Sequence, residues 1–102
     1  SNVFRGEEQI GDDYISLSSK GFDGEKSYRI KVVSDTSASL DLSVEEGVLS
    51  IVIDGEEDRP LEGNYSIEWN QFKDTTFLLK KGEYSVTLKG KDFVGKCRIS
   101  WN

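Results

Sequence analysis

Histidine and methionine are both missing from these 102 residues, and cysteine and proline occur once each. Without His there is no Ser-His-Asp or Cys-His nucleophilic site, most zinc centres are ruled out, and the usual general base near neutral pH is gone. A single Cys excludes an internal disulfide. Cys97 alternates with Ile99 and Trp101, so it reads as a small buried hydrophobe rather than a reactive thiol. Cysteine use leaves the compartment open, because a domain of this size can be exported without bridges. With no Met, the chain is expected to be a processed or trimmed piece of something longer. The longest apolar candidate, "GVLSIVID", is interrupted by Ser50 and falls far short of the roughly 18 residues a membrane span needs. This segment is not expected to insert into a membrane.

Positive charge is scarce. Thirteen Lys and Arg stand against 19 Asp and Glu, a net of −6, which argues against a nucleic-acid partner or an anionic membrane surface, since both need a cationic footprint. The balance is uneven: residues 1–70 hold 16 acids against 6 bases, and residues 71–102 hold 3 against 7.

What the chain does have is alternation. Apolar and polar residues exchange with period two in short segments separated by Gly, Asp and Asn, the pattern of half-buried strands. About eight strands are predicted, near 14–19, 26–33, 38–45, 48–54, 64–69, 75–80, 83–89 and 96–101. Their inward sets begin with Ile15 and Leu17, continue through Leu40, Leu42 and Val44, and end with Cys97, Ile99 and Trp101. No segment carries a helical stripe. The reading is an all-β fold: a two-sheet antiparallel β-sandwich of about eight strands, jelly-roll or Ig-like, forming a single domain over residues 1–102. "KKGEYSVTLKGKDFVGKCRISW", residues 80–101, reads as its closing hairpin.

The chemistry left to such a chain is limited. Paired acids at Asp12-Asp13 and in Glu56-Glu57-Asp58 could in principle serve glycoside hydrolysis, but adjacent acids on loops usually mark solvated turns, and the domain is expected to be non-catalytic. A hard cation suits those acids better. Asp12, Asp13, Glu56, Glu57 and Asp58 are the candidate calcium ligands, although "DGEEDRPLEGN" places its acids at the wrong offsets for a twelve-residue calcium loop.

Aromatic rings are the usual platform for sugar or peptide. Trp69 and Trp101 fall in register with inward positions, whereas Phe22, Phe72 and Phe93 fall in expected turns. Phe93 and Val94 are apolar at a tip otherwise made of Lys, Asp and Gly, so Phe93, Val94, Trp69 and Trp101 are the candidate ligand-binding residues. The alternative is that the tip folds back to plug the sandwich. Outward residues of the last strands are basic and those of the middle strands acidic. If they lie in different sheets, the domain has two faces of opposite charge through which it could pack on itself or on a neighbour. "NYS" at 64–66 matches a glycosylation acceptor, a pattern common by chance.

"LDLSV" at 40–44, followed by "GEYSVTLKG" and a final strand ending at Trp101, resembles the bacterial pre-peptidase C-terminal domains. That resemblance implies a small non-catalytic β-sandwich of a secreted, lipoprotein or cell-surface protein, sometimes calcium-dependent and sometimes adhesive. Asp41 alone falls at a motif position, and the acidic insert at 54–63 departs from the pattern. The expectation is therefore an extracellular accessory domain that binds protein or carbohydrate. The alternatives are a self-associating spacer and a carbohydrate-binding module.

Overall fold

The computed structural model describes residues 2–55, 63–67 and 72–101. Six strands account for nearly all of them: β1 (Val3–Ile10), β2 (Tyr14–Val32), β3 (Thr36–Gly55), β4 (Gly63–Ile67), β5 (Phe72–Leu79) and β6 (Gly82–Ser100). Every pairing is antiparallel, and hydrogen bonding runs without a break in the order β1-β2-β6-β3-β4, with β5 also on β3. Among the described residues no helix is long and apolar enough to cross a membrane.

The all-β antiparallel class is as expected, but the strands are fewer and longer. Segments 14–19 and 26–33 are the two halves of β2, 38–45 and 48–54 belong to β3, and 83–89 and 96–101 belong to β6. Within 80–101, Gly82–Ser100 is thus one continuous strand rather than a hairpin. Its halves pair with β2 on one side and β3 on the other. Phe93 and Val94, expected at a tip, sit in mid-strand.

These long strands have to bend. At about 3.3 Å per residue, 19 extended residues would span roughly 60 Å, yet the longest dimension of the molecule is 34 Å. The register supplies the bends. It shifts between Ser19 and Gly24 of β2 and between Val44 and Val48 of β3, and both irregularities face residues 90–95 of β6. Each inserts an extra residue, so alternation changes phase while the same face stays inward. In β2 the buried set passes from Ile15, Leu17 and Ser19 to Phe22, Ile30 and Val32. In β6 it passes from Tyr84, Val86 and Leu88 to Phe93, Cys97 and Ile99. The sheet folds over along this line into a sandwich-like body. One layer is β1, the first half of β2, the second half of β6, the first half of β3, and β5. The other is the second half of β2, the first half of β6, the second half of β3, and β4. Of the two topologies expected, this order of pairing is the jelly-roll one.

Local chemistry holds the fold line. Ser19, the one buried polar side chain described, donates from Oγ to the Phe93 carbonyl at 2.9 Å and accepts from the Gly21 N–H at 3.1 Å, which satisfies groups the bulge removes from the ladder. Phe22 and Phe93 face each other across the irregularity, both at most 1% exposed. Gly90 has no Cβ because one would lie 2.4 Å from the Phe22 ring.

β1 closes the seam between the layers. Glu8 is opposite the inward-facing Leu17, so it reaches across to accept the Tyr28 hydroxyl and to pair with Lys26 at 3.6 Å. Lys26 Nζ also lies 4.3 Å over the Phe4 ring, which packs edge-on against Phe22. Burial first, and then the Glu8 hydrogen bond and charge, push the Tyr28 hydroxyl well above its ordinary value of 10.0.

The fold line yields a first prediction. Gly47 has φ +72°, and a Cβ there would lie 2.1 Å from the Asp92 carbonyl oxygen and 2.3 Å from that of Lys91. Gly47→Ala therefore requires backbone of two strands to move and should cost about 2 kcal/mol or more. Urea unfolding measures this; a midpoint equal to wild type would show that the bend does not depend on this close approach.

Candidate functional site

In the layer that contains β1, alternation sends every second side chain outward, and strand order decides which of them meet. Gln9 of β1, Ser16 of β2, Arg98 of β6, Asp41 of β3 and Asp74 of β5 form one cross-strand row. Glu7, Ser18, Lys96 and Ser43 form the next. Together the rows, Asp74 aside, floor an open groove of about 520 Å³. Its walls offer carboxylates, an amide, hydroxyls, an ammonium and a guanidinium, so hydrogen-bond donors and acceptors alternate along it.

Two features fix the charges of this surface. The Arg98 guanidinium stacks 4.4 Å over the Tyr14 ring, which holds the fork in place. No ion pair joins Lys96 or Arg98 to a carboxylate among the described residues. Asp41 and Asp74 lie directly opposite each other across β3 and β5. The Asp74 carboxyl is held above its ordinary 3.8, by desolvation first, then by the hydrogen bond and charge of Asp41.

The same strand order removes the expected pair of oppositely charged faces. β6 lies between β2 and β3, so basic Arg98 meets acidic Asp41, and outward Lys96 is flanked by Ser18 and Ser43. Charges are interleaved rather than segregated.

The residues singled out in the sequence are scattered. Phe93 is 0% exposed in the core and Val94 beside it is half-buried. Trp101 is 5% exposed at the end of β6, where its N–H donates to the Asp13 carbonyl at 2.8 Å. Asp12 and Asp13 are exposed in the turn between β1 and β2, so Asp12, Asp13 and Trp101 are brought together. Trp69, Glu56, Glu57 and Asp58 lie outside the described residues. Among the described residues no group of three or more Cys, Asp or Glu is placed to hold a metal ion. The sequence marks Lys96, Arg98, Asp41 and Ser43 only as outward residues of two charged faces; that they meet in one groove with Glu7, Gln9, Ser16 and Ser18 depends on the pairing of distant strands, which the sequence does not signal.

No protein-family model matches the chain, and no curated protein is significantly similar to it. Solved structures are. The pre-peptidase C-terminal domain of collagenase from Bacillus anthracis is similar with a TM-score of 0.56 and 16% identity, over 99% of this chain and 89% of that one. A CBM4 structure gives 0.50 and 9% identity, over 99% of this chain and 78% of that one. A ruminal GH26 endo-β-1,4-mannanase gives 0.51 and 15% identity over 80% of this chain, which spans only 19% of the mannanase chain. At these identities the likeness establishes the fold. It meets the sequence resemblance to pre-peptidase C-terminal domains at that level.

Two predictions follow from the titrating groups. Burial, and then the Asp41 charge, push the Cys97 thiol up to about 12. Native protein should therefore resist Ellman's reagent at mildly alkaline pH and react fully in concentrated guanidinium chloride; fast native labelling would contradict the burial. Asp74 is the opposite of a salt-bridged acid. Its folded value lies above its unfolded one, so its contribution to stability is complete below 3.8 and is lost as pH rises through the raised value. Asp74→Asn should therefore gain on wild type in melting temperature as pH rises from acid to neutral. A constant difference across that range would mean that the Asp74 carboxyl is not raised in the folded protein.

Proposed function

We propose that this chain is a non-catalytic binding domain of a secreted or surface-anchored bacterial protein, and that its ligand is a polysaccharide chain lying in the groove across β1, β2, β6 and β3. The observation that carries this reading is the pair of rows centred on Arg98 and Lys96. A sugar hydroxyl both donates and accepts, and a surface alternating Asp41, Arg98, Ser16 and Gln9 can meet vicinal hydroxyls on both counts. The groove is open, which suits a chain passing through rather than a small molecule enclosed. Fold likeness adds support: one similar structure is a CBM4 protein, another belongs to an endo-β-1,4-mannanase, and a third is an appended domain of a bacterial collagenase.

The interleaved charges count against the self-associating spacer, which needs two segregated faces. Native affinity electrophoresis in gels containing glucomannan, galactomannan, xylan or mixed-linkage β-glucan tests the proposal. At least one polymer should retard the protein. Arg98→Ala or Asp41→Ala should weaken that retardation about tenfold or more, each removing a hydrogen bond to a charged group, while the protein stays folded by circular dichroism. Unchanged mobility in all four polymers overturns the reading.

A further inference from the structure

The groove has its cations at the centre and its carboxylates toward the margins. Lys96 and Arg98 stand on β6, the middle strand, two residues apart and both exposed, so their Cα atoms are about 7 Å from each other on one face. Ser18 and Ser43 are the cross-strand neighbours of Lys96, and Ser16 lies between Arg98 and Gln9. Glu7 is on the far side of Ser18, two strand spacings or roughly 10 Å from Lys96. Asp41 is beside Arg98, yet the guanidinium lies 4.4 Å over the Tyr14 ring, and no ion pair joins either cation to a carboxylate among the described residues.

Two cations held apart from acids stand out in a chain whose net charge is −6. Among the described residues no aromatic ring lines the groove, so the flat face of a neutral sugar has nothing to stack on there. Affinity has to come from polar contacts, and charge-assisted hydrogen bonds are about twice as strong as neutral ones.

We infer, on the reading that the groove binds polysaccharide, that its ligand is a chain carrying isolated uronic acid units, and that one uronate carboxylate seats between Lys96 and Arg98. Its two oxygens can accept from the guanidinium on one side and the ammonium on the other, beside the hydroxyls of Ser16 and Ser18. Glu7 and Asp41, as acceptors, suit the hydroxyls of the neighbouring sugar units. The four charges that line the groove cancel, so one entering carboxylate leaves a single negative charge. A polymer charged at every unit would set carboxylates against Glu7 and Asp41 and meet the −6 of the whole chain. Sparse substitution on a neutral backbone fits, and dense charge does not.

Isothermal titration with glucuronoxylan, and with the same polymer after reduction of its carboxyl groups to alcohols, isolates the charge. The reduced form should bind about tenfold more weakly, having lost the charge-assisted hydrogen bonds. Lys96→Gln should narrow that ratio to about threefold or less. Lys89→Gln removes the same charge from an exposed position on the first half of β6, in the other layer, and should leave the ratio unchanged. Dextran sulfate should bind more weakly than glucuronoxylan. Equal affinity for the two forms, the same narrowing by Lys89→Gln, or tighter binding of dextran sulfate would each overturn the inference. Equal binding of both forms leaves the polysaccharide proposal standing, whereas no binding of either, together with unchanged mobility in the four gels, overturns that proposal itself.

Discussion

Three strands of 19 or 20 residues must share one sheet inside a body 34 Å long, and the common fold line at Ser19–Gly24, Val44–Val48 and Gly90–Gly95 is how they do it. A bulge in one strand alone would put its second half out of phase with its neighbours. Because all three slip at the same level, each keeps its apolar side inward through the bend, and Phe22 and Phe93 fill the crease. The core, the seam closed by Glu8 and the outer groove all depend on that coincidence. The sheet also avoids leaving polar backbone unpaired at the crease, because Ser19 takes up what the ladder gives away.

Placing β6 between β2 and β3 does for charge what the fold line does for packing. It sets the cations of the last strand among the hydroxyls of β2 and the carboxylates and hydroxyls of β3. The result is a surface of mixed sign with little net field, so recognition there has to come from hydrogen-bond geometry rather than long-range attraction. Tyr14 beneath Arg98 reduces the freedom of the guanidinium on that surface, a form of preorganisation.

The sequence was readable where one rule governed. Period-two alternation identifies Ile15 and Leu17, Leu40, Leu42 and Val44, and Cys97, Ile99 and Trp101 as inward, and all are buried. It failed where two structures share a vocabulary. "KGFDGE" and "KGKDFVGK" contain the glycines and aspartates of turns, but the same residues permit bulges, so Phe22 and Phe93 looked like loop residues and are core. β1 escaped notice because an edge strand with Glu8 directed inward shows no apolar alternation; an inward charge of that kind guards an edge against adding a further strand. The groove was invisible for a third reason. Gln9, Ser16, Arg98, Asp41 and Asp74 are unremarkable one by one, and only strand order makes them neighbours.

That strand order also sets the timing of assembly. β6 is the last of the described strands in sequence, yet it is the central one, pairing along nearly its whole length with β2 and β3, which do not pair with each other. β2 and β3 therefore precede β6 with their inner edges bare, and neither layer can close until residues 82–100 are in place. Only the β1–β2 hairpin and the pairings of β4 and β5 with β3 can form beforehand. Without β6, β2 and β3 would each present a long unpaired edge of the kind that invites association with another chain.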